Sequence, residues 1–153
     1  MTARLKTVLV LCTGNSARSI MAEALINSLG AGQWRAVSAG SKPTGRVNPF
    51  ALAALKAAGI PPPEMPRSKS WNEFATTGAP PIDLVLTVCD SAANETCPRF
   101  HGPARVVHLP FPDPAAVEGS DTIILDAFQT VLADMQRMLP SLLMRQADCP
   151  TPR

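Results

Sequence analysis

Thr7-Val8-Leu9-Val10-Leu11 is a short apolar run without alternation, and it breaks at Cys12-Thr13-Gly14-Asn15-Ser16 into a segment of helical spacing. A strand that does not alternate is buried on both faces, which places it inside a parallel sheet. The following helix shows Ala17, Ile20, Met21, Ala24, Leu25 and Ser28 at helical spacing, with Gly30 as its stop. The chain therefore contains a strand–loop–helix unit with Cys12 at the carboxyl end of the strand.

The loop has the residue types of an oxyanion cradle. Gly14 permits unusual backbone angles, and Asn15 is among the few other residues that tolerate a left-handed conformation. A loop of this kind, Thr13-Gly14-Asn15-Ser16-Ala17-Arg18-Ser19, turns successive N–H groups inward, and the helix start adds partial positive charge. Arg18 supplies a planar fork able to hold two oxygens of a phosphate-like group. Cys12 then sits as a nucleophile at the base. N–H dipoles, Arg18 and the Ser19 hydroxyl are expected to favour its thiolate. The competing reading is a buried structural cysteine in a βα turn, with Arg18 as a solvated first-turn residue.

The rest of the chain continues the alternation. Trp34 to Ala39 reads as a second strand ending at Gly40. Asn48 caps a helix with Pro49 at its first position, Ala51, Leu52, Leu55 and Ala58 on one face, and Gly59 as its stop. Ser70-Trp71-Asn72-Glu73 has the spacing of a capping box. Ile82 to Val88 is a third strand running into Cys89, and Val106 to Leu109 a fourth. Thr122 to Leu139 is an amphipathic helix, which Pro140 bends or replaces with a new turn. Strands alternating with helices predict an α/β fold, a single domain with a four-stranded parallel sheet flanked by helices on both faces, and ligands at the carboxyl ends of the strands.

At 153 residues the chain fits one domain, which we set at residues 1–145 with a Pro-rich tail over 146–153. The 16 prolines cluster between apolar segments and mark connectors. A formal charge of +2 without a basic block argues against nucleic acid as a partner. No apolar stretch reaches membrane-spanning length, so no membrane role is expected. Four cysteines in a chain read as cytoplasmic point to catalytic, redox or metal-binding thiols more than to a disulfide framework.

If the first and third strands are neighbours, Cys89 comes near Cys12, and a disulfide needs their Cα atoms within about 7 Å. Cys97 follows across a small polar segment able to bring it to Cys89 by thiol–disulfide exchange. The alternatives are a core Cys89 with a surface Cys97, or a metal site of Cys89, Cys97 and His101, whose spacing does not match structural zinc sites. Cys149 lies in the tail. Asp113, between Pro112 and Pro114, is either a stiffened general acid or an ordinary Asp-Pro turn.

The stretch Val8 to Ser19, Met21-Ala22-Glu23-Ala24, Ser38-Ala39-Gly40, Val88-Cys89-Asp90 with Cys97-Pro98, and Asp113-Pro114 together resemble the low-molecular-weight phosphotyrosine phosphatase superfamily, and within it the thiol-coupled arsenate reductases. The resemblance covers nearly the whole chain. It implies that arsenate binds the loop and Arg18, that Cys12 attacks arsenic with Asp113 assisting a leaving oxygen, that Cys89 then takes Cys12 into a disulfide, and that Cys97 passes the oxidation outward. It further implies no bound cofactor, an external thiol reductant, thioredoxin before glutaredoxin, glutathione or mycothiol, and phosphate as a competitor. Some members use a cation beside the loop. Asn15, Glu23 and Ser38 match part of that site, but the region after Pro66 does not supply an acidic partner, and no metal is expected.

Two other functions compete. A phosphotyrosine phosphatase would use Cys12, Arg18 and Asp113 and would want aromatic walls, for which Trp34 and Trp71 are the large candidates. A non-enzymatic oxyanion or redox sensor would use Cys12 and Cys89 and leave Asp113 idle.

Overall fold

The computed structural model describes residues 5–29, 33–63, 66–89, 100, 102 and 105–148. Four parallel strands, β1 (Lys6–Leu11), β2 (Trp34–Ala39), β3 (Leu84–Thr87) and β4 (Arg105–His108), form one sheet in the order β2-β1-β3-β4. Three helices, α1 (Arg18–Leu29), α2 (Pro49–Ala57) and α3 (Asp121–Asp148), pack against one another, and α1 also covers β1 and β2. The parallel α/β architecture is the one expected. Among the described residues no helix is long and apolar enough to cross a membrane.

Strand β1 is central because Val8 to Leu11 are fully buried and pair on both sides. The chain leaves β1 for β2 on one side and later returns to β3 on the other, so the strand order reverses at β1. A crevice opens at the carboxyl ends of two strands where such a reversal occurs. Here those ends are followed by Cys12 and Cys89. The register pairs Leu11 with Thr87 and is held past the ladder by Val88 N donating to Leu11 O at 3.0 Å.

Sequence signals at the ends of elements mostly operate as read. Asn48 Oδ1 accepts from Phe50 N at 2.9 Å, with Pro49 next, and Gly59 takes φ 73° after α2. The expected stop of α1 at Gly30 lies outside the described residues. At Ser70 the hydroxyl caps a short 3-10 turn, Trp71–Phe74, by accepting from Asn72 N. Glu73 does not complete a capping box; its carboxylate takes the Arg67 guanidinium at 2.9 and 3.0 Å instead.

Strand β3 is shorter than the apolar run from Ile82 to Val88. Asp83 turns its carboxylate to Thr7 N at 2.8 Å and closes the amino end of the ladder. Helix α3 is longer than expected, running through Pro140 to Asp148 and into the segment read as a tail. An interior proline costs about 3 kcal/mol, whereas burying a leucine returns roughly 1.5–3 kcal/mol. Leu142 and Leu143, both buried beyond Pro140, favour continuing the helix against the core.

Candidate active site

The loop after β1 is held by its carbonyls. Thr13 O accepts from Lys42 N at 3.0 Å, Gly14 O from Thr44 N at 3.1 Å and Ser68 Oγ at 2.9 Å, and Ser16 O from Asn48 N at 2.8 Å. A planar trans peptide points its N–H opposite to its C=O. Carbonyls drawn outward at Thr13, Gly14 and Ser16 therefore turn the N–H groups of Gly14, Asn15 and Ala17 inward. The Gly14 N–H reaches the Cys12 sulfur. Among the described residues, Asn15, Ser16 and Ala17 donate no backbone hydrogen bond to a carbonyl outside the helices and strands. Inward N–H groups at a helix start are an arrangement able to accept an anion.

The left-handed position in the loop is Asn15, with φ 46°, and not Gly14. Asn15 tolerates it because its side chain is anchored in three directions. Nδ2 donates to Ser19 Oγ at 2.8 Å and Ser38 Oγ at 3.0 Å, and Oδ1 accepts from Lys69 N at 2.9 Å. A Cβ at Gly14 would lie 3.2 Å from Thr44 Cγ2, a close contact that a small shift of the Thr44 side chain would ease. Gly40 has no such relief. A Cβ at Gly40 would lie 2.3 Å from Thr13 O and 2.7 Å from Cys12 O, so the end of β2 presses directly on the loop backbone.

Cys12 and Cys89 are both buried and reduced, and Cys89 is the largest influence on the Cys12 thiol. The Thr13 hydroxyl lies 3.7 Å from Cys89 Sγ, as the β1–β3 register requires when carried two residues past Leu11 and Thr87. The expectation of a thiolate in the empty loop is corrected here. Cys89 and burial push the Cys12 thiol well above its ordinary range, against the opposing pull of Arg18 and the Gly14 N–H. Arg18 spends part of its charge on Asp113.

Arg18 opens α1 and reaches across the crevice. Nη1 donates to Phe111 O at 3.0 Å, and Nη2 lies 3.8 Å from Asp113 Oδ2. Asp113 Oδ1 accepts from Ala115 N at 3.0 Å and caps the 3-10 turn Pro114–Ala116. The Asp-Pro turn read at Asp113 is present; it fixes one carboxylate oxygen and leaves the other beside Arg18.

Cys97, His101 and Cys149 lie outside the described residues. Trp34 pairs with Lys6 at the amino ends of β1 and β2, the far end of the sheet from Cys12, and forms no wall of the site. Trp71 packs partly buried against the core.

The family model for low molecular weight phosphotyrosine protein phosphatase matches residues 7–148. The chain belongs to that family. Among its relatives is an arsenate reductase of Halalkalibacterium halodurans, 39% identical over 116 residues, 76% of this chain and 79% of the relative. The arsenate reductase of Archaeoglobus fulgidus has a similar structure, with a TM-score of 0.69 at 27% identity over 88% of this chain and 97% of that one. So does the low molecular weight protein tyrosine phosphatase of T. tengcongensis, with a TM-score of 0.70 at 26% identity over 92% of this chain and 99% of that one.

Three parts of the site escaped reading from the sequence: Ser68 on Gly14 O, Lys69 on Asn15, and the Phe111 carbonyl on Arg18. The Glu23–Ser38 bond joins two residues that the resemblance had grouped with Asn15. Gly40 had a signal, a glycine ending a strand. Ser68 and Lys69 had none, because nothing in a loop sequence states which distant backbone it will touch.

Proposed function

We propose that this protein reduces arsenate to arsenite through a thiol relay begun at Cys12. The observation that carries the reading is the second buried thiol, Cys89, which β3 brings beside the loop, 3.7 Å from the Thr13 hydroxyl. A phosphatase needs water to hydrolyse its phosphocysteine. Arsenate reduction needs two electrons from thiols, and therefore a second sulfur within reach of the first.

Arsenate would enter the cradle with its oxygens on the inward N–H groups and Arg18. The Cys12 thiol passes its proton to the arsenate dianion and its sulfur attacks arsenic, forming a sulfur–arsenic bond, while the protonated arsenate oxygen takes a second proton from Asp113 and leaves as water. Cys89, as thiolate, attacks the Cys12 sulfur. A disulfide bond forms, the sulfur–arsenic bond breaks, and its electron pair goes to arsenic, which departs as arsenite. Cys97 then attacks Cys89, regenerating the Cys12 thiolate and leaving a Cys89–Cys97 disulfide. An external dithiol protein of the thioredoxin type returns two electrons to that disulfide. No bound cofactor takes part in this scheme, and phosphate competes because it fits the cradle but is not reduced by thiols. Such a relay belongs in a reducing compartment, the cytoplasm.

The test is arsenite production from arsenate with candidate thiol reductants. Turnover that disappears in Cys12→Ser and Cys89→Ser supports the reading. Full turnover in Cys97→Ser with thioredoxin refutes the third station.

Phosphatase activity is the second reading, favoured by the adjacency of Arg18 and Asp113, which serves any tetrahedral oxyanion ester. Aryl phosphate hydrolysis unchanged in Cys89→Ser, without arsenate turnover, would make it the main function.

A further inference from the structure

Two short segments outside the Cys12–Ser19 motif meet on the backbone of the loop. Gly14 O accepts from Thr44 N at 3.1 Å and from Ser68 Oγ at 2.9 Å, so a side chain as well as a backbone N–H holds this carbonyl. Ser68 is partly buried, and its oxygen accepts from Gly45 N at 3.1 Å. A carbonyl only accepts, so the Ser68 proton points at Gly14 O while the Gly45 N–H takes a lone pair of the hydroxyl. The hydroxyl is thereby fixed from both sides.

The carbonyl that Ser68 holds belongs to the peptide carrying the Asn15 N–H. Planarity sets that N–H opposite to Gly14 O, into the loop. Asn15 is also the loop residue at φ 46°, a conformation disfavoured for any residue with a Cβ. The neighbour of Ser68, Lys69, donates its backbone N–H to Asn15 Oδ1 at 2.9 Å. Residues 68 and 69 therefore grip Asn15 at two places, the carbonyl before it and the end of its side chain. The Ala17 N–H is turned inward by a separate anchor, Asn48 N on Ser16 O at 2.8 Å.

We infer that Ser68 is a positioning residue for the bound oxyanion: its hydroxyl sets the Gly14–Asn15 peptide so that the Asn15 N–H faces the anion. Donation to the carbonyl end of a peptide also polarises it, which strengthens the N–H at the other end as a donor. Ser68 acts through that peptide and not on the reacting atoms.

The inference rests on the cradle reading of the loop and not on the reaction that follows, so inorganic phosphate is the probe. Its affinity is measured by calorimetry, and the amide resonances of Asn15 and Ala17 are compared by NMR without phosphate and at saturating phosphate. Ser68→Ala should weaken phosphate by about three- to tenfold, the worth of one hydrogen bond. In that variant the Asn15 amide should be displaced in the free protein and respond less to phosphate, while the Ala17 amide responds as in the native protein. Ser68→Thr keeps the hydroxyl and should restore both the affinity and the Asn15 response. Native-like affinity in Ser68→Ala overturns the inference, and so does a loss that falls equally on Asn15 and Ala17, which would make Ser68 a support of the loop as a whole. If the native protein binds no phosphate, the cradle reading falls and this inference with it, a result distinct from binding that is indifferent to Ser68.

Discussion

The Thr13 hydroxyl lies 3.7 Å from the Cys89 sulfur, which ties the first residue of the anion loop to the second thiol. The contact joins residues 76 apart in sequence, and the β1–β3 register produces it. Thr13 therefore serves two ends: its backbone belongs to the cradle, and its side chain belongs to Cys89.

Thr13→Val keeps the shape and the backbone while removing the hydroxyl. One hydrogen bond is worth about 0.5–1.5 kcal/mol, so disulfide formation between Cys12 and Cys89 should slow by roughly three- to tenfold. Phosphate affinity should stay native. Rapid-quench measurement of arsenite from a single turnover checks the first expectation, and calorimetry checks the second.

Cys89 also governs the ionisation of Cys12. Cys89 is the largest cause raising the Cys12 thiol, ahead of burial, and Arg18 and the Gly14 N–H oppose both. Cys89→Ala removes that cause and leaves Arg18 and the Gly14 N–H pulling downward, so the pH of half-maximal Cys12 alkylation must fall. A fall of one pH unit would raise the iodoacetamide rate at pH 7 by about tenfold. Peptide mass spectrometry assigns the modified residue, and an unchanged pH profile would mean that Cys89 does not control Cys12.

Asp113→Asn keeps a side chain able to cap the Pro114–Ala116 turn but cannot donate an acidic proton. Turnover should fall by about 10²–10⁴-fold, the usual contribution of a general acid. With aryl phosphates the loss should be greatest for poor leaving groups, which depend most on protonation. A loss equal across leaving groups would assign Asp113 to orienting Arg18 instead.

The parts of this site that could be read in the sequence are those in which one segment determines the geometry. The run Thr7–Leu11 states a buried strand, Asn48-Pro49 states a helix start, and Cys12 to Ser19 carries its own chemistry. Other parts arise where segments meet. Glu73 looked like a capping-box residue until Arg67 offered it a bidentate partner. Gly14 and Asn15 both offered unusual backbone angles, and Asn15 is the one that takes the left-handed position because Ser19, Ser38 and Lys69 converge on its amide. The Cys12 thiolate was expected from the loop alone, and the raised thiol follows from Cys89, brought in by another strand. Pro140 signalled a break that the burial of Leu142 and Leu143 overrides.

Gly40 offers the test of how tightly the cradle is clamped. An added Cβ would sit 2.3 Å from Thr13 O and 2.7 Å from Cys12 O, both backbone atoms that cannot turn aside. Relief must come from moving β2 away from the loop or the loop away from β2. The first strains the Cys12 N to Ala39 O bond, and the second shifts the N–H groups that hold the anion. Gly40→Ala should therefore lower stability by about 1–3 kcal/mol, as overpacking does, and weaken phosphate binding beyond what that loss explains. Gly45→Ala is the control: its φ of 82° disfavours a side chain, but a Cβ there meets nothing within 4 Å. Urea unfolding and phosphate calorimetry on both variants separate the two effects. Equal phosphate affinity in Gly40→Ala and the native protein would show that the loop keeps its shape without the clamp.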